Sequence, residues 1–412
     1  MAQRVLAVVA YWRSINIVKL YERLLAAASG QSNDGAIRVR AIYEPTGGPG
    51  GRIFPPTVKL KATDAAGYLT EPRYVDGEPV TVVLLDQRQS QANRCEQALL
   101  DAVRRQDLFI PHLELTTEAE GVPVRITSME APHRSRDAYF RDAQDNDGTP
   151  FDQTEPGTAL RQASSGDLGV YLRLVPSDLV YGAWDSHRKR RIQVKVPRAY
   201  TSEMYGVAPL AGVRAAGRVD SLNLAGDTVE VTGTGWSPVK GAKPAKGVAT
   251  ARMSELGHGM IPPSEEIGGV SVKAVHRQGT VSMAQLASLR FGKVSEEFSV
   301  AGRALLAAIA LLGDRLAFAS PSLHLRSGCD LVVVSEQLEW VQRGQDGRPV
   351  TQPLEAVTIS DMLALFETAL ERAVKEGLEW PVAPLGLRPN ASLQQAIAKS
   401  YETVGIGAVE DE

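Results

Sequence analysis

Cysteine is almost absent from this sequence, which carries only Cys95 and Cys329 in 412 residues. Both lie in apolar patterns, and two lone thiols fit core packing in a reducing compartment better than a disulfide or a metal site. Long apolar runs are also missing: the longest, residues 304–312, is too short to cross a bilayer. Arg4 precedes a short apolar run without a small-residue cleavage pattern. We therefore expect a cytoplasmic protein that makes no membrane contact.

A strong net charge is lacking as well, because 45 Lys and Arg oppose 48 Asp and Glu, which gives −3. This balance excludes a wholly basic, nonspecific DNA-binding protein. The charge is unevenly placed along the chain. Residues 181–200 hold six basic residues and one acid, a local charge of +5, whereas residues 350–412 hold ten acids and four bases, a local charge of −6. The pattern predicts one face that binds a polyanion, with acidic surface elsewhere.

The stretch 80–94 joins a buried strand to a polar helix start. Its first six residues are apolar or β-branched and predict a strand covered on both faces. After Asp86 the apolar residues recur at helical spacing, and Asp86 with Gln89 has the form of a capping box. The amides, hydroxyl and arginines of the first turn suit a phosphate beside free helical N–H groups. A well-solvated helix start explains the same residues equally well.

Residues 45–57 form a loop rich in glycine and proline. Four of each fall between Pro45 and Pro56, which excludes a regular element. A glycine-rich loop that holds an arginine, here Arg52, can wrap a phosphate. The loop lacks both the Lys-Ser/Thr ending of a P-loop and the spacing of a dinucleotide fingerprint, so we expect no nucleotide cofactor.

Two further segments combine aromatic and basic residues. In residues 184–191 an indole, an imidazole and four consecutive cations could bind single-stranded nucleic acid, with cations on phosphates and flat rings on an unstacked base. A buried tryptophan before a basic surface turn fits equally well. Residues 222–263 contain Trp236 and three lysines at three-residue intervals, the pattern of a flexible basic excursion. Within it we predict a hairpin between residues 222–224 and 229–231.

The remaining pattern predicts an α+β fold, because strands and helices mix without a strict βαβ alternation. Further strands are predicted at 37–43, 122–129, 168–174, 179–184, 214–222, 269–282 and 331–334. Further helices are predicted at 15–28, 298–312 with a stop at Gly313, 359–374 and 393–401. The acidic part 350–412 is helical and belongs to the same domain as the rest.

Several short motifs, in this order, resemble those of one family. They are residues 50–56 (GGRIFPP), 90–94 (SQANR), 131–134 (APHR), 184–188 (WDSHR), Ser202-Glu203 and 326–331 (RSGCDL). The family is the backbone subunit, of Cas-seven type within the RAMP superfamily, of the type I-G (formerly I-U) CRISPR Cascade effector complex. This chain departs from the family pattern at Gln87 and Met260.

The resemblance implies a single domain over residues 1–412, with an RRM-like, ferredoxin-like palm, finger-like insertions and a thumb at 222–263. It implies a structural role rather than catalysis. Copies line up head to tail along a CRISPR RNA and present it for pairing with target DNA in antiviral defence. The implied partners are a large subunit, a cap subunit that also processes the RNA, and a helicase-nuclease.

Together these arguments give a set of candidate RNA-binding residues that would contact phosphate, sugar or an unstacked base. The set comprises Arg52, Arg88, Gln89, Ser90, Gln91, Asn93, Arg94, His133, Arg134, Trp184, Ser186, His187, Arg188, Lys189, Arg190, Arg191, Lys240, Lys243 and Lys246. No catalytic residue, metal or cofactor is expected.

Two other functions fit parts of the sequence. Asp86, His133, Asp185 and His187 could form the site of a metal-dependent RNA endonuclease. Against this, the six histidines are scattered without zinc-type spacing, and no paired carboxylates fall on one element. A general single-stranded RNA-binding protein, unconnected to CRISPR, is the third alternative.

Overall fold

The fold is described from a computed structural model. The structure describes residues 2–59, 61, 66–184, 194–222, 224, 227–233, 235–239, 244, 246–354 and 356–402, with side chains from residue 15 onward. Over these ranges the chain is a mixed α+β protein built on a curled antiparallel sheet. No helix in this part of the chain is both long enough and apolar enough to cross a membrane.

The helices of the described residues are spread along the chain. They are α1 (Ala2–Ala28), α2 (Arg88–Arg104), α3 (Ala138–Arg141), α4 (Glu155–Gln162), α5 (Gly169–Leu174), α6 (Pro176–Tyr181), α7 (Met283–Ala287), α8 (Glu296–Phe318), α9 (Ile359–Lys375) and α10 (Ala391–Tyr401). Two short 3₁₀ turns cover Arg134–Arg136 and Phe151–Gln153.

The strands come in runs between these helices, the longest from β10 to β18. They are β1 (Asp34–Pro45), β2 (Arg52–Ile53), β3 (Thr57–Val58), β4 (Gly67–Tyr68), β5 (Thr70–Val75), β6 (Glu78–Asp86), β7 (Leu113–Ala119), β8 (Val122–Thr127), β9 (Ala143–Gln144), β10 (Ala183–Trp184), β11 (Lys195–Val196), β12 (Tyr200–Val207), β13 (Leu210–Arg218), β14 (Thr228–Thr232), β15 (Gly235–Pro238), β16 (Ala249–Arg252), β17 (Ile261–Ser271), β18 (Ala274–Ser282), β19 (Ser322–Arg326), β20 (Cys329–Arg343), β21 (Pro349–Pro353) and β22 (Leu385–Pro389).

The central sheet has the strand order β19-β20-β1-β18-β12-β6-β5, and β21 adds to β20. All of its neighbouring strands are antiparallel. Val39 of β1 lies opposite Gly279 of β18 and Leu338 of β20, which fixes the register at the middle of the sheet. Because side chains alternate between faces, this register sends Val39 and its odd-numbered neighbours of β1 to the helix-covered side.

Helix α8 is the centre of the core on that side. Its residues from Ala304 to Leu312 are fully buried, and it packs against α1, α2, α6, α7 and α9. The helix begins at the cap Ser295, whose hydroxyl accepts a hydrogen bond from the Phe298 backbone N–H. A helix that is apolar on all sides needs such enclosure, because each buried leucine contributes about 1.5–3 kcal/mol only when it leaves water.

A buried ion network ties α8 to the sheet. Asp314 accepts hydrogen bonds from Arg277 of β18 and from the Tyr200 hydroxyl of β12. Arg315 donates to Asp314 and, at 2.5 and 2.8 Å, to Glu336 of β20. Burial alone would raise the pKa of Asp314, but the two arginines and the Tyr200 hydroxyl hold it at about 2. The network joins α8 to three strands with its charges paired.

A ribbon of two strands leaves the central sheet between β12 and β18. Strands β13 and β17 pair along residues 210–271, and β2 joins β17 at the base of the ribbon. A small three-stranded sheet, β15-β14-β16, closes the far end. Leu210 and Val213 of β13 are 75% and 65% exposed. We call residues 210–271 the ribbon; it begins and ends outside the predicted thumb limits of 222 and 263.

Several predicted elements are confirmed with wider limits. The strand at 37–43 is β1, the strand at 80–85 is β6, and the helix at 359–374 is α9, whose Thr358 and Asp361 form a capping box. The predicted loop 45–57 carries the short strand β2 and the first residue of β3. The strand at 122–129 is the second arm of a hairpin whose first arm, β7, was not predicted.

Other predictions are wrong. Strands were predicted at 168–174 and 179–184, but residues 169–174 and 176–181 form the short helices α5 and α6. The prediction failed because a short apolar run does not distinguish a buried strand from a buried helix. Strand β14 pairs with β15 and β16 rather than with residues 222–224. The predicted strand 269–282 is the end of β17 followed by β18, with the break at residues 272–273.

The capping box predicted at Asp86 is also wrong. The N-cap of α2 is Gln87, which makes no side-chain cap. Asp86 ends β6, and its Oδ2 accepts hydrogen bonds from Gln91 Nε2 at 2.5 Å and Arg94 Nε at 2.8 Å. The carboxylate therefore joins the strand end to the helix through side chains instead of through the backbone N–H groups of the first turn.

Candidate nucleic-acid interface

A groove of about 430 Å³ lies where the first turn of α2, the segment 132–134 and the β10–β11 hairpin meet. It brings together three segments that the sequence singled out, through Gln89, His133 and Trp184. Its lining is Gln89, Pro132, His133, Arg134, Tyr181, Gly182, Ala183, Trp184, Lys195, Val196, Pro197 and Arg198. The described part of the lining carries basic, aromatic and amide side chains and no carboxylate.

Trp184 provides a flat wall of this groove. It pairs with Lys195 across the β10–β11 hairpin, and the Lys195 ammonium lies 5.2 Å from the centre of the indole ring. Trp184 as a whole residue is 51% exposed, so part of its surface can contact a ligand. A cation held against a tryptophan face is attracted by the ring, and the pair presents both a stacking surface and a positive charge.

Six of the candidate residues belong to the segment 185–193, which lies outside the described residues. They are Ser186, His187, Arg188, Lys189, Arg190 and Arg191. They begin two residues after Trp184 and precede β11 along the chain. Their contribution to the groove stays a prediction.

Arg198 enters the groove across Gly182. Gly182 has φ +87°, and a Cβ there would lie 2.9 Å from Cγ of Arg198 and 3.1 Å from the Val196 carbonyl oxygen. Only glycine combines this backbone conformation with so close an approach. Arg198 Nε donates to the Tyr181 carbonyl at 3.1 Å. Burial, with the nearby Arg134 charge, lowers the pKa of Arg198 below its usual range.

Arg134 forms the floor of the groove, where its contact with RNA stays a prediction. It is buried, and its Nε and Nη2 donate to the two oxygens of Glu96 at 2.6 and 2.7 Å. Its Nη1 donates to the Gly182 carbonyl at 3.1 Å. Burial raises the pKa of Glu96 to about 7, against the opposing effect of Arg134. Arg134 therefore holds Gly182, and through it Arg198, in place.

A second buried carboxyl lies beneath this floor. Asp178 of α6 is fully buried, and its Oδ2 accepts a hydrogen bond from Ser135 Oγ at 2.5 Å. Burial raises the pKa of Asp178 to about 6, although Ser135 and the Arg134 charge act in the opposite direction.

The first turn of α2 divides its polar residues between surface and interior. Arg88, Gln89 and Asn93 are exposed and Ser90 is half-buried, as a binding surface requires. Gln91 is fully buried instead, and its Oε1 accepts a hydrogen bond from Ser202 Oγ at 2.8 Å. Its buried position corrects the prediction that it contacts RNA. It holds α2 against β12.

Arg94 is largely committed to the fold. Besides its bond to Asp86, it donates through Nη1 and Nη2 to the carbonyls of His324 and Leu325 in β19, at 3.2 and 2.9 Å. All three of its nitrogens thus have protein acceptors. It fixes the start of α2 to the sheet edge, and its contact with phosphate stays a prediction.

Two other candidate residues lie outside the groove lining. Arg52 is in β2, opposite Ser271 of β17, and its guanidinium lies beside Gly212 of the ribbon. Lys246 is exposed on the way into β16. Lys240 and Lys243 lie outside the described residues. The structure therefore associates Arg52 with the ribbon base and does not bring Lys246 to the groove.

Of the four residues of the endonuclease alternative, the structure describes Asp86 and His133. Asp86 is buried and already bonded to Gln91 and Arg94, whereas His133 is exposed at the groove. Asp185 and His187 lie outside the described residues. Among the residues that are described, no three His, Cys, Asp or Glu side chains are close enough to hold a metal ion.

Sequence reasoning missed Lys195 and Arg198 as individual groove residues. Both were counted only in the local charge of residues 181–200. Lys195 could have been found as the basic continuation of the segment after Trp184. Arg198 had no comparable signal, because its place depends on Gly182, sixteen residues earlier, and on the pairing of β10 with β11.

The comparisons with known proteins include a family model and solved structures. Residues 37–209 match the family model described as CRISPR-associated protein GSU0053, which spans about two fifths of this chain and includes the whole described lining of the groove. No curated protein matches the chain. The crystal structure of Thermofilum pendens Csc2 is similar at 11% sequence identity over 82% of this chain and 88% of that one, with a TM-score of 0.29. A TM-score of that size does not support an argument about fold or function.

Proposed function

We propose that this chain is a CRISPR RNA-binding backbone subunit, of Cas-seven type, in a type I-G Cascade complex. The observation that carries the proposal is the groove, in which Trp184, Lys195 and Arg198 converge within the stretch that matches a CRISPR-associated family. Cations and a flat ring beside one cavity are the groups that hold a single strand by its phosphates and one of its bases.

The fold of the RNA-holding part is a ferredoxin-like palm. The four strands β20-β1-β18-β12 are neighbours in that order, and α2 and α8 lie between the strands along the chain. Numbered along the chain as β1, β12, β18 and β20, they have the spatial order 4-1-3-2, which is that of a ferredoxin-like βαββαβ unit. Strands β5, β6, β19 and β21 extend both edges, and the ribbon is the insertion that acts as the thumb.

The groove binds the guide without reading its sequence. Spacer sequences differ from one guide to the next, so a backbone subunit must contact phosphate and sugar rather than base edges. Arg88, Gln89 and Asn93 on α2 and Lys195 and Arg198 on the hairpin supply such contacts. The bases that are not stacked on Trp184 stay free to pair with target DNA.

Assembly follows from two different surfaces on one chain. A head-to-tail contact that repeats along an RNA is heterologous and does not close. The exposed apolar residues of the ribbon and the exposed acidic residues Glu367, Glu371 and Glu379 offer two such surfaces. The large subunit, the RNA-processing cap subunit and the helicase-nuclease are the other expected partners.

The test is to purify the protein from cells that express its own CRISPR array and to sequence the RNA that co-purifies. We expect spacer-containing RNAs of defined length, bound in oligomers whose size grows with guide length. RNA sampled at random from the transcriptome would instead indicate the general single-stranded RNA-binding alternative.

A matched pair of variants tests the groove itself. Trp184→Ala should weaken single-stranded RNA binding by about 1–3 kcal/mol, the usual loss when one base loses its stacking partner. Trp184→Phe keeps a ring and should recover most of that loss. If both variants and the wild type bind single-stranded RNA with equal affinity, the groove does not contact the RNA.

A further inference from the structure

We infer that Arg198 is the anchor for one phosphodiester group of the bound strand. The inference rests on the proposed function and names the chemical group that the groove takes. Sequence patterning did not single out Arg198, and its place in the groove depends on Gly182, Tyr181 and Arg134.

The position of the Arg198 side chain is fixed before any ligand arrives. Its Cγ lies against Gly182, and its Nε donates to the Tyr181 carbonyl. Gly182 is held in turn by the Arg134 hydrogen bond to its carbonyl. An arginine fixed by its stem and by Nε keeps its four Nη donors for a ligand, and those donors have no acceptor among the described residues.

The charge of Arg198 is not neutralised within the described residues. It forms no ion pair there, although it is half-buried and lies close to the positive Arg134. The nearest carboxylate that affects it, Glu96, is already bonded by both oxygens to Arg134. A half-buried cation without an anion is unfavourable, and an incoming anion relieves that cost.

The chemistry of the neighbouring residues favours a phosphodiester of a single strand as that anion. A guanidinium binds two phosphate oxygens in a fork, so the fixed Nη edge gives both affinity and orientation. Trp184 and Lys195 line the same groove, and they suit the base and the next phosphate of one strand. An acidic peptide would use Arg198 and Lys195 but would have no use for the indole face.

The test compares Arg198→Ala with a matched control, Arg343→Ala, which removes one exposed arginine at the end of β20. Affinity is measured against salt for two labelled single-stranded RNAs of unrelated sequence. Arg198→Ala should lose roughly ten- to hundredfold in affinity for both RNAs, the size of a lost charged hydrogen bond. The log–log salt slope should fall by about 0.7, as for one phosphate contact on a single strand. Arg343→Ala should match the wild type.

A second readout locates the phosphate. In an RNA scanned with single neutral methylphosphonate linkages, one position should weaken binding by the wild type and leave binding by Arg198→Ala unchanged. If that linkage weakens both proteins equally, Arg198 is not its partner and the inference is overturned.

The outcomes also separate this inference from the proposed function. Binding that is sensitive to Trp184→Ala and unaffected by Arg198→Ala overturns the anchor and leaves the proposed function standing. No binding of single-stranded RNA by the wild type at any salt overturns both. A melting curve on each variant, with Arg198→Lys as a second variant, distinguishes lost binding from a folding defect. Native melting with weakened RNA binding supports the contact of the guanidinium with two phosphate oxygens. Full affinity of the lysine variant overturns that contact.

Discussion

Oε2 of Glu203 lies 3.4 Å from Nε of Arg88, so the first turn of α2 faces a carboxylate of β12. The other oxygen of Glu203 accepts a hydrogen bond from Arg73 at 2.6 Å. The preceding residue, Ser202, points to the opposite face of the sheet and reaches Gln91. Strand β12 thus contacts the start of α2 from both faces. On the outer face the contact places a negative charge beside an arginine that we propose binds RNA.

Glu203→Gln should therefore raise RNA affinity, by roughly two- to fivefold, since an exposed ion pair is worth up to about 1 kcal/mol. The amide keeps an acceptor for Arg73 and removes the charge that competes with phosphate for Arg88, whose side chain is 59% exposed. Filter binding at low and high salt measures the change, with Glu367→Gln on the exposed face of α9 as the control. Weaker binding by Glu203→Gln would mean that the carboxylate orients Arg88 instead of competing for it.

The sequence indicated which segments meet at the groove but not which side chains face it. Polar residues with an aromatic neighbour can be recognised locally, and Gln89, His133 and Trp184 do line one cavity. Burial depends on distant partners that no local pattern reveals. Arg134 is held in the interior by its bond to Glu96 of α2, which is 38 residues away in the sequence. Gln91 is held in the interior by its bond to Ser202 of β12, which is 111 residues away.

The fold was predictable where a segment is long and periodic, and α8 shows the limit of that reasoning. The apolar run 304–312 was correctly predicted as a buried helix, whereas Gly313 was taken as its stop. The helix continues through Gly313 to Phe318. Glycine is present there because a side chain would collide with the Tyr181 hydroxyl and lie 3.2 Å from Leu99. A close approach of α6 to α8 is not visible in a one-dimensional pattern.

This reason for the glycine at position 313 is testable, because it predicts that alanine there lowers the free energy of unfolding, whereas alanine usually raises it inside a helix. Gly→Ala inside a helix ordinarily stabilises by up to about 1 kcal/mol. Gly313→Ala should instead destabilise by about 1–3 kcal/mol, the typical cost of overpacking a core. Urea unfolding measures the difference in free energy.

Tyr181→Phe in the same protein provides the control. The Tyr181 hydroxyl has no hydrogen-bond partner among the residues that the structure describes, so its removal should cost little by itself. It also removes the atom that the new methyl group would meet, so the double variant should recover part of the lost stability. A double variant that is as unstable as the sum of the two single variants would show that the collision lies elsewhere.

The two carboxyls beneath the groove predict how stability changes with pH. Burial raises the pKa of Asp178 to about 6 from an ordinary value of 3.8. Between these values the folded state holds a proton that the unfolded state releases. The free energy of unfolding should therefore fall as pH rises from about 4 to 6, by about 3 kcal/mol for this group. Glu96, with its pKa raised to about 7, acts in the same direction.

Asp178→Asn should remove the part of this pH dependence that belongs to Asp178. The amide still accepts the Ser135 hydrogen bond and cannot ionise. Urea unfolding at pH 4, 5, 6 and 7 should show a smaller fall for the variant than for the wild type. Asp147→Asn, in an exposed loop, should leave the profile unchanged. Identical profiles for wild type and Asp178→Asn would show that Asp178 does not carry the effect.

The last prediction concerns the ribbon, whose outer apolar residues have no partner within the described residues to bury them. Leu210 and Val213 lie at the start of β13, close to the central sheet, with 75% and 65% of their surfaces exposed. If the ribbon contacts the next copy along the RNA, covering these side chains contributes to assembly and not to the folding of one chain.

Leu210→Ser with Val213→Ser should then keep the melting temperature and the affinity for an RNA that holds one copy. Light scattering should show that complexes of the variant no longer grow with RNA length. Val382→Ser, which changes a residue that is 92% exposed elsewhere, is the control and should assemble as the wild type does. A lower melting temperature for the ribbon variant would make these residues part of the fold, and unchanged growth would place the contact between copies on another surface.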